Sequence, residues 1–261
     1  SWLEKNGYRR PFAVRYGEWV SGVVTGDFSY STRFRKPVNE VLPKRLGYTG
    51  ILAFWVLVTM VPAALLIGIL SGMREGSALD RSLSIFSVTT TATPEYVSGI
   101  LFTVIFASWL GWLKGVSNVN DITIANFTLP VMTMSIYGMG YIARMTRASM
   151  SEVMTSQYIR TAHLKGLAFG TVVFKHALRN ALIAPFTVIL LQFPWLLTGV
   201  VIVEKIFNYK GFGWVLVEAA ENNDINLLLA CSLVSVVVVI GTQLISDVGY
   251  AYLNPRIRVE S

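Results

Sequence analysis

Charge is scarce in this sequence. Of its 261 residues 14% are charged, against about 25% in soluble domains, while 53% are hydrophobic and the mean hydropathy is +0.54. That balance excludes an ordinary water-soluble domain and points to a membrane. Cysteine is nearly absent. Cys231 stands alone inside an apolar run, which excludes a disulfide framework and a thiolate metal site. The two histidines, His163 and His176, share one basic loop and read as loop residues, not metal ligands. No Gly-Lys pair occurs, so the G-x-x-x-x-G-K-[ST] phosphate loop is missing and the chain should not hydrolyse ATP itself. H-E-x-x-H, G-x-S-x-G and paired-carboxylate arrangements are missing too. The net charge is +7 and the pI about 9.6. Without interleaved aromatic and basic residues this excludes nucleic acid and fits anionic membrane lipids.

What remains is a series of long apolar runs. About 20 helical residues cross the hydrocarbon layer at 1.5 Å each. Residues 46–73 contain no charge, and Pro62 should kink them. Residues 74–81 read as a connecting loop. Residues 82–113 are interrupted only at Pro94-Glu95 and read as one tilted helix bent at Pro94, ending near Trp109 and Trp112 in an interfacial aromatic belt. Residues 122–143, 180–203 and 225–246 follow, with Gly138 and Gly140 near one end of the third run and Pro185 and Pro194 bending the fourth. The expected fold is an all-α membrane protein, a polytopic helical bundle with five transmembrane helices. Glu95 is the one clear ionisable residue inside a run. It either lines a translocation path or is a carboxylate bonded to Thr89, Thr90, Thr91 and Thr93.

The stretch 141–185 differs from its surroundings. It carries Arg144, Arg147, Arg160, Lys165, Lys175 and Arg179 against one acid, Glu152, and the positive-inside rule places it in the cytoplasm. Its pattern predicts two short helices. Ser151 caps the first, with Glu152 in its first turn, running to about Leu164; Gly166 breaks it; the second starts near Phe169. Val153, Met154, Tyr158, Ile159, Leu164 and Leu167 form an apolar side, and such a side on a structured loop suits docking. A solvated basic loop on lipid headgroups is the plainer alternative.

The run RTAHLKGLAFGTVVFKHALRNAL resembles the coupling loop of ATP-binding-cassette importer permeases, closest to the dipeptide, oligopeptide and nickel branch. The general motif has Glu-Ala-Ala six to four residues before a glycine. Here Arg160, Thr161 and Ala162 precede Gly166, a form common in that branch. Three further pieces resemble the family: Gly26-Asp27-Phe28-Ser29-Tyr30-Ser31; the outer segment VEKIFNYKGFGWVLVEA with Glu204, Phe207, Gly211 and Gly213; and the tail DVGYAYLNPRIR, where Asn254 replaces the usual Asp. The resemblance implies a permease subunit of an ATP-driven, binding-protein-dependent importer in a bacterial inner membrane. It implies a second homologous permease, two ATPase subunits that hold ATP and Mg, and an extracytoplasmic solute-binding protein. No cofactor belongs to this chain. Tyr158, Arg160, Thr161, Ala162, Lys165, Gly166 and Leu167 would meet the ATPase subunit, and peptides or related small solutes would be cargo.

The same resemblance implies a sixth, N-terminal helix before Ser1, with residues 1–45 extracytoplasmic after it. Residues 46–253 would be the permease domain, holding the coupling loop 144–180 and the outer loop 204–226, and 254–261 a cytoplasmic tail. Nine cations in residues 1–45 sit against the positive-inside rule, and an upstream helix setting the orientation would account for them. Rival readings are a secondary carrier or channel without ATPase partners, and a membrane-embedded scaffold or enzyme.

Overall fold

The computed structural model describes residues 10–253; residues 1–9 and 254–261, which hold the tail motif with Asn254, Arg256 and Arg258, lie outside the described residues. Helix α1 (Phe12–Thr25) starts after Pro11 and stops at Gly26, whose φ of 80° only glycine adopts freely. A two-residue ribbon, β1 (Tyr30–Ser31) against β2 (Lys36–Pro37), leads into α2 (Val38–Gly72). Then come α3 (Ala78–Ala92), α4 (Glu95–Phe102, continued by wide π-helical turns over Thr103–Trp109), and α5 (Ile124–Met154). The short α6 (Gln157–Leu164), α7 (Phe169–Ala181), α8 (Ile183–Ile206), α9 (Phe212–Glu221) and α10 (Ile225–Leu253) complete the chain.

By length and composition Val38–Gly72 and Ile225–Gly249 are each apolar enough to cross a membrane, and Phe169–Ala181 with Ile183–Leu196 makes a third such unit bent by 49°. The core lies where α2, α5 and α8 meet. Leu52, Val56 and Met60 pack there with Leu129, Met134, Ile142, Val200 and Val203, all 0% exposed. Lipid tails give helices no hydrophobic reason to associate, so close contact must come from small residues. At Gly68 a Cβ would run into the Ala143 carbonyl and Thr146, and at Gly72 into the Arg147 carbonyl and Met150. The end of α2 therefore lies backbone to backbone on α5.

Proline inside a helix frees the carbonyl four residues earlier, and in an apolar setting that carbonyl needs another donor. At three of the prolines a serine supplies it. Pro130 frees Asn126, whose carbonyl accepts from Ser117 Oγ. Pro185 frees Ala181, which accepts from Ser149 Oγ at 2.8 Å. Pro194 frees Leu190, which accepts from Ser246 Oγ at 2.8 Å. The break between α7 and α8 falls at Leu182, just before Pro185, because the ring cannot continue the ladder there.

Three expectations change. Residues 82–113 are not one bent helix: Thr93 (ψ 121°) and Pro94 (ψ 144°) are both extended, which separates α3 from α4. Proline disfavours helical geometry in the residue before it, and Thr93 shows the effect. The run at 122–143 continues as helix to Met154, so the basic stretch begins as the last turns of α5. Ser151 accordingly lies inside α5 and caps nothing, and Glu152 is in no first turn; Ser156 precedes the short helix instead.

Candidate functional site

One end of the bundle gathers residues 73–81 and 150–181. Helix α6 is held there by an apolar cluster in which Ile159 (0% exposed) and Ala162 meet Met150 of α5 and Val172, Val173 and Ala177 of α7. Its stop is chemical. Gly166 at φ 75° lets its own N–H reach the His163 carbonyl and the Leu167 N–H reach that of Ala162, which satisfies two orphan acceptors. Of the seven sequence-derived coupling residues, Ala162 is buried; Tyr158, Arg160, Thr161, Lys165, Gly166 and Leu167 are exposed. Tyr158 Oη accepts a bond from Asn180 Nδ2 at 2.9 Å, tying α6 to the chain entering α8. The expected apolar side thus divides: Ile159 turns inward, while Leu164 is 82% exposed beside the cations.

Beside α6 sits a charged clasp that the sequence reading missed. Asp80, 2% exposed, accepts from Arg147 Nε at 2.5 Å and Nη2 at 2.8 Å. It also accepts from Ser71 Oγ at 2.5 Å, from the Gly76 N–H at 2.8 Å and from Ser84 Oγ at 3.2 Å. Hydrogen bonding from the Arg147 guanidinium holds the Asp80 carboxyl well below the usual carboxylate range, and Asp80 in turn raises Arg147. Ser151 of α5 donates to Glu75 of the same loop. The signal was present as a capping box: Ser77 Oγ accepts from the Asp80 N–H, and Asp80 stands three residues into the helix. Its partner, 67 residues away, was not readable.

At the opposite end the four outer-segment residues meet in one turn. Glu204 and Phe207 are 0% exposed. The Glu204 carboxylate accepts from Thr49 Oγ1 at 2.5 Å and from the Trp214 N–H at 2.8 Å, and Thr49 Oγ1 accepts from the Phe212 N–H. A Cβ on Gly211 would collide with that carboxylate, and one on Gly213 with the backbone of Val201. These residues fold α9 back against α8 and α2. Thr49 was not foreseen, and no local pattern marks it.

Glu95 opens α4 in the gap after α3. Its Oε2 is, among the described residues, the one buried side-chain polar atom without a hydrogen bond. The four threonines do not serve it. Each donates to a helix carbonyl: Thr89 to Ile85, Thr90 and Thr91 to Ser87, Thr93 to Thr89. Among the described residues no group of His, Cys, Asp and Glu is placed to hold a metal.

Long apolar helices, proline-broken and serine-patched, with a short amphipathic helix at one end mark a helical membrane protein. Residues 64–259 match the family described as "Binding-protein-dependent transport system inner membrane component", and the chain belongs to that family. Among curated relatives, a probable peptide ABC transporter permease protein, y4tP of Sinorhizobium fredii, is 33% identical over 98% of this chain and 83% of its own length. The oligopeptide transport system permease protein AppB of Bacillus subtilis has the same identity and coverage. The glutathione transport system permease protein GsiC of Salmonella choleraesuis is 34% identical over 97% of this chain and 81% of its own. Among solved structures, a chain of an amino acid ABC transporter superposes with a TM-score of 0.62 at 14% identity, covering 80% of this chain and 92% of the other. A chain of the MetNI methionine ABC transporter in an inward-facing form gives 0.62 at 15%, covering 80% and 93%. At such identities the two structures speak for the fold. The protein is a permease subunit of the ABC importer class.

Proposed function

We propose that this chain forms one half of an import path for peptides or related small solutes and that α6 transmits the ATPase cycle to it. The cargo class rests on the names of the relatives, which carry peptides, oligopeptides and glutathione. One observation supports the coupling role above the others: α6 is anchored from within by Ile159 and Ala162 yet presents Arg160, Thr161, Lys165 and Leu167 outward. A helix anchored on one side and free on the other passes on a push without melting. Its neighbours would carry the movement, through Met150 to α5 and through Val172 to α7 and the bend at Leu182.

In this reading α2, α3 with α4, α5, α7 with α8, and α10 make five spans. The α6 end and the C-terminus face the cytoplasm, and α1, the ribbon and α9 lie outside. A second homologous permease completes the pore. Two ATPase subunits bind ATP and Mg, and a binding protein delivers cargo. Glu95 lines the path: it is half-buried, and its inward oxygen Oε2 has no hydrogen-bond partner that would give it a structural use.

Gly166→Val tests the coupling role. Nothing lies within 4 Å of a Cβ at this position, so the only penalty is the backbone angle. A β-branched residue at positive φ costs about 1–2 kcal/mol or more, confined to the end of α6. The variant should insert into membranes normally and lose cargo-stimulated ATPase activity of the assembled complex. Unchanged stimulation would remove α6 from the coupling path.

A further inference from the structure

Four cations converge on one cavity at the end of the bundle away from α6. It encloses about 610 Å³, within the range of small-ligand sites. One wall is a stripe of the first turns of α2, where Glu40, Lys44, Arg45 and Tyr48 recur at helical spacing; the other comes from residues 116–120 and 208–210. Lys36, Lys44, Arg45 and Lys210 line it against a single carboxylate, Glu40, a balance of four minus one, or +3.

None of these cations makes a close ion pair, although the charge of Arg45 also acts on the buried Glu204. Just beside the cavity Arg33 reaches Glu218 at 3.2 Å and Lys205 reaches Glu221 at 2.9 Å. Among the described residues no carboxylate lies within ion-pair distance of the four that line it. Two of the four are held in place. Arg45 donates to the Lys210 carbonyl at 2.6 Å, and its guanidinium lies 5.9 Å from the Phe34 ring and 5.8 Å from the Trp214 ring. The Lys210 ammonium lies 5.6 Å from the Trp214 ring. Asn120, on the facing wall, accepts from Tyr48 Oη at 3.3 Å. Positioned cations in a concave, low-dielectric mouth focus potential toward its centre. In the orientation proposed above this end is extracytoplasmic, where cations are disfavoured. That four of them share one cavity there calls for a use.

We propose that this cavity is a carboxylate-binding site at the outer mouth of the path. Its ligand is an anionic group carried either by a free acidic solute or by an acidic side chain of the solute-binding protein. The importer reading fixes only which side of the membrane the site faces; the geometry stands without it.

The test uses the complex purified with its ATPase subunits in nanodiscs of zwitterionic lipid, as parent and as the double variant Lys36→Glu/Lys44→Glu. Both lysine side chains are exposed, and Lys36 joins the β1–β2 ribbon through its backbone, which the substitution leaves in place. In one arm the dipeptides Glu-Glu and Gln-Gln are titrated without binding protein. In the other, the affinity of the co-expressed binding protein is followed between about 50 and 300 mM salt, a range over which exposed charges become screened. A preference for Glu-Glu over Gln-Gln of roughly tenfold in the parent, the worth of two exposed ion pairs, and lost in the variant, assigns the site to a solute carboxylate. A roughly tenfold weaker binding protein with a flatter salt dependence in the variant assigns it to the partner's acidic side chain. Identical behaviour of parent and variant in both arms overturns the proposal. Lys36→Gln/Lys44→Gln should give an intermediate effect, which separates charge from misfolding. A chain that purifies without ATPase subunits would instead count against the importer reading.

Discussion

Replacing Arg147 with methionine isolates the charged clasp beside α6. The methionine keeps the stem of the side chain and removes the guanidinium. Asp80 then loses both bonds from its one cationic partner and keeps those from Ser71 Oγ, Ser84 Oγ and the Gly76 N–H. Removing one partner of a buried pair costs about 3–5 kcal/mol. The Asp80 side chain is 3% exposed but that of Arg147 is 29% exposed, so water offsets part of the loss and about 2–3 kcal/mol is expected. For a chain of this size each kcal/mol moves the melting temperature by roughly 2–4 °C, which for this loss is about 4–12 °C. The assay is thermal unfolding in detergent, read by intrinsic fluorescence. Asp80→Asn in the same chain as Arg147→Met should recover most of the loss, because no buried charge is then stranded; the cycle should show a coupling of about 2 kcal/mol. The pH dependence has a definite sign. A carboxyl held below its ordinary value of 3.8 stabilises the fold at all pH above that value and loses the contribution as pH falls toward the folded value. The gap between parent and Arg147→Met should therefore stay constant from pH 5 to 8 and narrow only below about pH 4. A single variant within about 0.5 kcal/mol of the parent, or a double variant weaker than both singles, would refute the reasoning.

Two further variants probe other parts of the bundle. Glu95→Gln should change the uptake of cationic relative to neutral cargo in vesicles if its free oxygen faces the path; equal ratios in parent and variant would make it structural. Ser149→Ala strands the Ala181 carbonyl and should destabilise the chain by about 1–2 kcal/mol. Adding Pro185→Ala should restore most of that, since residue 185 then regains an N–H for the same acceptor; no recovery in thermal unfolding would sink the account.

The parts of this fold legible in the sequence are those governed by local chemistry. Gly166 announced the end of α6, because a left-handed turn after a run of helix formers has few other solutions. Pro185 announced a bend, and the family resemblance picked out Glu204 and Gly211. Misreadings came where local signals compete. Ser151 looked like a cap, yet nothing around it outweighs the helix already running from Ile124, and its hydroxyl goes to Glu75 instead. Pro94 alone implies a kink, whereas an extended Thr93 before it makes a full break. The rest depends on distant pairs. Thr49 meets Glu204 across 155 residues and Asp80 meets Arg147 across 67, and no window of sequence contains both members of either.

The serine patches on the prolines have a consequence for biogenesis. A ribosome delivers this chain from its N-terminus. Ser117 and Ser149 are thus already made when Pro130 and Pro185 emerge, so the carbonyls of Asn126 and Ala181 can be satisfied as their helices enter the lipid. Leu190 has no such provision. Its donor is Ser246, 56 residues downstream in the last helix. Until α10 is synthesised and seated, α8 carries a bare peptide oxygen in hydrocarbon, at a cost of several kcal/mol. Helix α10 therefore seals α8 as well as closing the bundle, and a nascent chain released before Ser246 would leave that helix with an acceptor it cannot hide.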